Sequence, residues 1–158
     1  MARKDITMSD DEILEFLDTS RVLQVATIGK EGAPHLAPMW FVMEDGKIVF
    51  RSFSKSQKMV NLTRDPRLTV LAESGDAYDE LRGVMIRGTA RLVSDPNYVL
   101  ETYGRLAARY PMVGPEPVEL DAAALEAAFG SFASKNTAVV VEPERVTSWD
   151  HRKLGGSY

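Results

Sequence analysis

Cysteine is absent from the 158 residues of this sequence. Its absence excludes disulfide bonds, thiolate zinc sites, cysteine-ligated iron–sulfur clusters and a cysteine nucleophile. Histidine is scarce as well, because the chain has only His35 and His151, which are far apart in sequence. Metal-binding histidines occur in closely spaced sets with other ligands, so we expect no metal site.

Long apolar runs are also missing. No segment approaches the roughly 18 apolar residues that indicate a membrane-spanning helix, and residues 1–16 lack the apolar stretch of a signal peptide. Hydrophobic residues make up 44% and charged residues 27% of the chain, which is typical of globular proteins. We therefore expect one cytoplasmic domain, 1–158, without a membrane span. The net charge of −4 argues against nucleic acid as a partner.

Several catalytic motifs are lacking too. No Gly-x-Gly-x-x-Gly follows a predicted strand, which argues against a parallel dinucleotide-binding sheet. Neither the Gly-x-Ser-x-Gly of hydrolases nor the His-Glu-x-x-His of zinc proteases occurs. No side chain stands out as a necessary general acid, so the sequence indicates no catalytic residue.

Hydrophobic periodicity and turn residues predict six or seven strands with short connections, together with a few helices. The predicted strands are 21–28, 35–44, 47–53, 68–73, 83–93, 137–141 and 145–149. The predicted helices are 10–20, 56–64, 95–110 and 121–132. This order predicts a mainly β protein with helices (α+β), in which an antiparallel barrel is covered by the helices.

Turn residues refine the predicted strands. Asp45-Gly46 is a strong hairpin signal, because both residues tolerate a positive φ. Pro38 lies inside the predicted strand 35–44 and therefore indicates an edge strand or a bulge. Gly88 indicates a bulge or a tight barrel corner.

Capping residues refine the predicted helices. Ser9 and Glu12 have the spacing of a capping box at the start of the first helix. Ser94 is the expected N-cap of the helix that begins near Pro96. In the helix 56–64, we expect Met59, Val60 and Leu62 to face the core.

The most informative segment of the chain is basic. Residues 51–67 contain five basic side chains and one acidic side chain, so their formal charge is +4. Because the whole protein has a charge of −4, the other 141 residues sum to −8. The basic residues are Arg51, Lys55, Lys58, Arg64 and Arg67.

Serines at positions 52, 54 and 56 are interleaved with these cations where a predicted strand enters a helix. Backbone N–H groups, the positive end of the helix dipole, hydroxyls and cations meet there, and this combination suits a phosphate. The alternative is a solvated basic face on a surface helix. A single basic patch on an acidic body favours a small anionic ligand.

Two aromatic features have alternative interpretations. Met39, Trp40 and Phe41 form an apolar group that, by itself, indicates core. Trp149 precedes a charged tail, so it is either part of a partner or ligand surface or a plug at one end of the barrel.

Seven short motifs, in their order and spacing, resemble those of one family. They are Pro38-Met39-Trp40-Phe41, Asp45-Gly46, Arg51-Ser52, Ser56-Gln57-Lys58, Asn61-Leu62, Asp65-Pro66-Arg67 and Ser148-Trp149-Asp150-His151-Arg152-Lys153-Leu154. From about Ser9 to Leu154, the chain resembles the split β-barrel flavin/deazaflavin oxidoreductases, which are related to pyridoxamine 5'-phosphate oxidase. It is most similar to the branch that typically uses the deazaflavin coenzyme F420. The resemblance implies an FMN-binding split-barrel fold.

The resemblance also implies a homodimer with two cofactor sites at the subunit interface. A phosphate-binding stretch of the family is matched by Arg51, Ser52, Ser56, Gln57 and Lys58. These matches agree with the phosphate site that the residues themselves suggest.

Further cofactor contacts are implied by two other motifs. The strand that runs beside the tricyclic ring is matched by Pro38, Met39, Trp40 and Phe41, whose backbone groups would recognise the pyrimidine edge. A tail position that approaches the partner's site is matched by Trp149.

The expected function is hydride transfer between F420 and a small conjugated organic substrate. Alternatives are an FMN-dependent oxidoreductase of the same fold, a non-catalytic flavin or deazaflavin carrier, and a structural dimer with a degenerate site. Oxidation of pyridoxamine phosphate is not expected. The Arg-Leu segment and proline that grip its phosphate are replaced here by residues 151–156, HRKLGG.

Overall fold

The structure is a computed structural model, and it describes residues 5–156. Its strands are β1 (Leu23–Ile28), β2 (Pro34–Met39), β3 (Val42–Glu44), β4 (Lys47–Phe53), β5 (Arg67–Ser74), β6 (Arg82–Val93) and β7 (Asn136–Asp150). Its helices are α1 (Asp10–Thr19), α2 (Gln57–Arg64), α3 (Pro96–Arg109) and α4 (Ala122–Ala133). The strands form one antiparallel sheet in the order β2-β1-β5-β6-β7-β4-β3. The predicted α+β class, a curled antiparallel half-barrel with helices, is confirmed.

Helices pack on both faces of the curled sheet. Within the curl, Phe16 of α1 and Met59 of α2 join Phe50 of β4 in the main core. On the opposite face, Val49 of β4 packs with Leu106 of α3. Successive side chains of a strand point to opposite faces. The position of a residue in β4 therefore decides whether it meets α2 or α3.

The Asp45-Gly46 hairpin is confirmed. Asp45 and Gly46 have φ values of 50° and 76°, as a two-residue hairpin turn of the primed type requires. The turn joins β3 to β4, and Val42 pairs with Val49 in the register.

The prediction of one strand over 35–44 is wrong. The segment forms β2 and β3, which lie at opposite edges of the sheet. Between them, Phe41 is fully buried, and its backbone N–H and C=O both bond the hydroxyl of Tyr110 at 3.3 and 3.1 Å. These bonds take Phe41 out of a strand ladder. Pro38 lies in β2, which pairs within residues 5–156 with β1 alone, so the predicted edge position is confirmed.

The predicted strands 137–141 and 145–149 are a single strand, β7. A bulge interrupts the pairing of β6 with β7: Arg87 pairs with Arg145 and Gly88 pairs with Pro143, so Glu144 is the extra residue between them. A Cβ atom on Gly88 would lie 2.0 Å from the carbonyl oxygen of Glu142. The bulge predicted at Gly88 is therefore confirmed, and β7 continues past Pro143.

The capping box at Ser9 is confirmed. The predicted cap at Ser94 is wrong, because Asp95 is the N-cap of α3 and accepts a hydrogen bond from Asn97 N at 3.0 Å. Pro96 occupies the first helical position, which leaves the residue just before it as the cap. The Ser94 hydroxyl lies instead near a hydroxyl of β7.

Two of the three residues predicted on the inward face of α2 are confirmed. Met59 and Leu62 are buried, but Val60 is 48% exposed, and Asn61 lies in the interior instead. The amide of Asn61 is satisfied there: it accepts from Gln57 Nε2 at 2.9 Å and donates to Thr27 Oγ1 at 3.0 Å. A fully hydrogen-bonded amide can be buried at little cost.

No helix in the described part of the chain could cross a bilayer. The longest, α3, has 14 residues, whereas a span needs about 20 apolar ones. Among residues 5–156, no group of three or more His, Cys, Asp or Glu side chains is placed to hold a metal ion.

Candidate functional site

Strand β4 ends beside the start of α2, and three polar side chains meet there. The hydroxyls of Ser52 and Ser56 lie 3.0 Å apart, and Lys58 Nζ donates to Ser52 Oγ at 3.2 Å. Ser56 is the N-cap residue of α2, yet its hydroxyl does not cap the helix. The positive end of α2 therefore keeps hydrogen-bonding capacity. We call Ser52, Ser56 and Lys58 the Lys58 cluster.

The charge of the Lys58 cluster is not balanced by a carboxylate in the described part of the chain. No carboxylate within residues 5–156 forms an ion pair with Lys58. Burial lowers the pKa of its ammonium group below the ordinary value. An anion would stabilise this partly desolvated cation, and the two hydroxyls add donors that a phosphate accepts. The cluster therefore fits a phosphate group.

Gln57, also predicted in the phosphate site, has its amide nitrogen directed into the protein. It donates to Asn61, which in turn bonds Thr27 of β1. This chain of hydrogen bonds holds α2 against β1. The role of Gln57 that the structure indicates is to position the helix that carries Lys58.

Arg51 and Ser52 are neighbours in β4, so their side chains point to opposite faces of the sheet. The Arg51 guanidinium lies over the ring of Tyr103 in α3, 4.3 Å from its centroid. Its Nη1 atom makes a long hydrogen bond of 3.4 Å to Asn136 Oδ1, and its Nε atom is buried with no partner among the residues that the structure describes. Burial lowers the pKa of Arg51, although the nearby Tyr103 partly opposes this effect. Arg51 is therefore separate from the Lys58 cluster.

A cavity of about 280 Å³ lies beside Arg51. Its lining consists of Arg51 and five residues with large apolar surfaces: Val22, Pro38, Met39, Trp40 and Leu106. The Trp40 indole stacks on the buried ring of Tyr110, with 4.7 Å between centroids and 11° between planes. Arg21 also lies over that ring, 4.5 Å from its centroid. We call this space the Arg51 cavity.

Three of the four residues predicted beside the cofactor ring line the Arg51 cavity. The exception is Phe41, which is fully buried and whose backbone groups bond Tyr110. Those polar groups are already satisfied within the protein. Phe41 therefore supports the neighbouring Trp40 from the core.

Within a single chain, Trp149 lies apart from both the Lys58 cluster and the Arg51 cavity. It pairs with Gly83 across β6 and β7, and a Cβ atom on Gly83 would lie 2.1 Å from its Cζ2 atom. It lines a different cavity, of about 650 Å³, together with the segment 5–7 and residues 147, 148 and 151. Its expected approach to a partner's site involves a second chain and stays a prediction.

The remaining cations of the basic segment have other partners or lie in solvent. Arg67 forms an ion pair with Asp65 at 2.7 Å, and Arg64 donates to the carbonyl oxygen of Ile28. Lys55 is exposed at the surface. Of the five cations, Arg51 and Lys58 are thus the two that are partly buried and without a carboxylate within residues 5–156.

Tyr103, Leu106 and Tyr110 shape the surroundings of Arg51, and the sequence interpretation did not single them out. They follow one another at spacings of three and four residues, which places them on one face of α3 and its C-cap. That spacing was visible in the sequence. The sequence could not indicate, however, that this face of α3 meets Arg51 and Trp40.

A comparison with protein families matches residues 9–150 to pyridoxamine 5'-phosphate oxidase. The chain belongs to this family. A comparison with curated protein sequences gave no match.

Solved structures share the fold. The chain is similar to the conserved hypothetical protein Rv2991 from Mycobacterium tuberculosis, with 39% identity, 100% of this chain and 94% of that chain covered, and a TM-score of 0.87. It is similar to an F420 reductase at 24% identity, with 84% and 94% covered and a TM-score of 0.64. The heme storage protein HutZ from Vibrio cholerae matches at 16% identity, with 88% and 93% covered and a TM-score of 0.66. The two lower identities establish a common fold alone.

Proposed function

We propose that this protein is an F420-dependent oxidoreductase that transfers a hydride between the coenzyme and a small conjugated organic molecule. The observation that carries the proposal is the Lys58 cluster. It combines a partly buried ammonium group lacking a carboxylate partner within residues 5–156, two hydroxyls 3.0 Å apart and the start of a helix. Both F420 and FMN carry a phosphate that such a cluster can hold.

Each residue of the cluster would have a distinct task. Lys58 supplies the charge that neutralises the phosphate, and Ser52 and Ser56 supply directed donors. Gln57 donates to Asn61, whose own bond to Thr27 holds the helix that presents them against β1. Pro38 and Met39 of the edge strand β2 would lie beside the ring system, as the family resemblance implies.

The protein's contribution would be binding, orientation and exclusion of water. When bound, F420 supplies the hydride chemistry through its deazaflavin ring. The preference for F420 over FMN is supported by the motifs that resemble the F420 branch. No side chain is assigned as an acid or a base.

We further propose that the chain forms a homodimer with the cofactor sites at the interface. An exposed apolar side chain supports this: Leu36, on the edge strand β2, is 65% exposed. Light scattering on the purified protein should give the mass of two chains. The mass of one chain at micromolar concentration would contradict the dimer.

A fluorescence titration of cofactor-free protein with F420, and in parallel with FMN, tests the cofactor. We expect F420 to bind with a Kd of about 1 μM or tighter, which corresponds to about −8 kcal/mol, and FMN to bind more weakly. Tighter binding of FMN would move the protein to the flavin-dependent alternative. Binding of neither would contradict the proposal.

A second experiment separates an enzyme from a carrier. Reduced F420 is mixed with the protein and with a panel of conjugated carbonyl compounds, and its reoxidation is followed by absorbance. We expect reoxidation that depends on both protein and acceptor. Tight binding without turnover across the panel would favour the carrier.

A further inference from the structure

We propose that the Arg51 cavity is a second ligand site, which binds the carboxylate of a small, flat organic acid. The proposal concerns binding alone and is independent of the redox activity proposed above. It rests on the charge of Arg51, the shape of the cavity and its position relative to the Lys58 cluster.

The charge of Arg51 is available to an anionic ligand. The guanidinium is partly buried, and within residues 5–156 no carboxylate forms an ion pair with it. Its Nη1 atom makes a long contact of 3.4 Å with Asn136 Oδ1, and its Nε atom is buried without a hydrogen-bond partner among the described residues. A carboxylate bound in the cavity would supply the counter-charge that this guanidinium lacks within residues 5–156.

The shape and polarity of the cavity suit a flat ring that carries a carboxylate. At about 280 Å³ it is at the small end of ligand pockets, and its other lining residues have largely apolar surfaces. The indole of Trp40 is 43% exposed and is held flat by its stack on Tyr110. A rigid indole face suits a planar ring. The planar fork of an arginine suits a planar carboxylate, which accepts two parallel hydrogen bonds.

Polarity also favours a carboxylate over a phosphate here. A phosphate group has its oxygens in a tetrahedral arrangement and needs donors on several sides, as the Lys58 cluster offers with one ammonium and two hydroxyls. In the Arg51 cavity, the guanidinium is the one charged lining group. A single negative charge with two in-plane acceptors matches this arrangement.

The position of Arg51 makes the two sites separate. Arg51 and Ser52 project from opposite faces of β4, toward Tyr103 in α3 and Lys58 near the start of α2 respectively. The cavity nevertheless includes Pro38 and Met39, the residues proposed to lie beside the cofactor ring. A carboxylate ligand in this cavity would thus lie next to the cofactor without competing for its phosphate site.

Isothermal titration calorimetry of cofactor-free protein with 2-naphthoate tests the site. The neutral isostere 2-naphthamide is titrated in parallel. We expect 2-naphthoate to bind at submillimolar concentration and 2-naphthamide to bind about tenfold more weakly, because the amide lacks the charge that pairs with Arg51. Equal affinity for the two compounds, or no heat from 2-naphthoate up to about 2 mM, would overturn the proposal.

Variants locate the binding. Arg51→Met keeps the length of the side chain without its charge and should weaken 2-naphthoate about tenfold or more. Arg82→Met is the matched control, because Arg82 is another half-buried arginine over an aromatic ring, Phe16, and does not line the cavity. It should bind 2-naphthoate like the wild type. If Arg51→Met binds equally well, or Lys58→Ala abolishes binding, the assignment is contradicted.

Folding of the variants is checked by circular dichroism. Arg51→Lys provides a second test if Arg51→Met does not fold, because it keeps the charge and removes the planar fork. We expect it to bind 2-naphthoate more weakly than the wild type and to bind F420 unchanged. The F420 titration and the 2-naphthoate titration therefore fail or succeed separately.

Discussion

The two faces of strand β4 differ although they are built from adjacent residues. Toward α2, Ser52 joins a lysine and a second serine in a small group rich in donors. Toward α3, Arg51 lies on a tyrosine ring beside a largely apolar cavity. A basic motif that is continuous in sequence is therefore divided between two sites when it lies on a strand.

The difference also shows which charges are available to a ligand. Arg64 and Arg67 add to the charge of the segment, yet one donates to a backbone carbonyl and the other is paired with Asp65. The formal charge of +4 therefore overstates the positive charge that a ligand would meet. Two cations of the segment are partly buried and have no carboxylate partner in residues 5–156. They are Arg51 and Lys58, which lie on opposite sides of β4.

The largest effect is expected on the α3 side, from Tyr110→Ala. Tyr110 is 1% exposed, supports Trp40 and bonds both backbone groups of Phe41. Removing this ring should cost about 3–5 kcal/mol of unfolding free energy and abolish 2-naphthoate binding. Urea denaturation measures the first effect and calorimetry the second.

Tyr110→Phe is the control for that change, because it removes only the hydroxyl. It should cost about 1–3 kcal/mol, since the buried polar groups of Phe41 lose their partner. A loss below about 1 kcal/mol for Tyr110→Ala would contradict the supporting role that we assign to Tyr110.

On the α2 side, Lys58→Ala should weaken F420 binding by roughly 1–3 kcal/mol, the value of a hydrogen bond to a charged group. The fold should be unaffected. Lys55→Ala is the matched control, because Lys55 is an exposed cation three residues away, and it should change F420 affinity little. Equal effects of the two substitutions in the fluorescence titration would mean that general charge, and not the Lys58 cluster, attracts the cofactor.

A smaller effect is expected where α3 is attached to the β3–β4 hairpin. Glu44 bonds Arg105 at 2.8 Å and accepts from the Tyr98 hydroxyl. Burial alone would raise the pKa of Glu44, but these two partners outweigh it and hold the pKa below its ordinary 4.5. The stabilisation is therefore present at neutral pH and is lost as the pH falls below about 4.5 through the folded-state value.

Glu44→Gln tests this attachment. The variant should be less stable than the wild type at pH 7 by no more than about 1 kcal/mol, because the ion pair is partly exposed. Urea unfolding across pH should show the difference shrinking below about pH 4.5. A difference that persists unchanged at pH 3 would mean that the charge of Glu44 is not its cause.

The smallest effect is expected for Arg67→Gln. The hydrogen bonds from Arg67 lower the pKa of Asp65 to about 2, so this surface pair stabilises the fold above pH 4 and loses its effect as the pH falls toward 2. The substitution should slightly lower the thermal midpoint at pH 7 and leave F420 binding unchanged. A marked loss of F420 affinity would show that Arg67, too, faces the cofactor.

Local features of the fold could be predicted from the sequence. The Ser9 capping box and the Asp45-Gly46 hairpin depend on residues a few positions apart, and both are confirmed. The bulge at Gly88 is confirmed for a similar reason, because a side chain there would meet the neighbouring backbone. Such features are set by backbone geometry, which the residue types reveal directly.

Features that depend on distant contacts could not be predicted in this way. The break between β2 and β3 results from the bonds of Phe41 to Tyr110, which is 69 residues away. The stacking of Arg51 on Tyr103 likewise needs α3 to lie on that face of the sheet. The sequence did indicate that the basic segment would be divided between two faces of the sheet. Arg51 and Ser52 are adjacent in a predicted strand, so their side chains had to point in opposite directions.

A crystal structure of the protein with bound F420 would test the central claim most directly. We predict that the phosphate lies within hydrogen-bonding distance of Lys58 Nζ and of at least one of the Ser52 and Ser56 hydroxyls. Arg51 should remain on Tyr103, with its cavity free for a carboxylate. A phosphate bound by Arg51, or placed away from Lys58, would contradict the division of the basic segment into two sites.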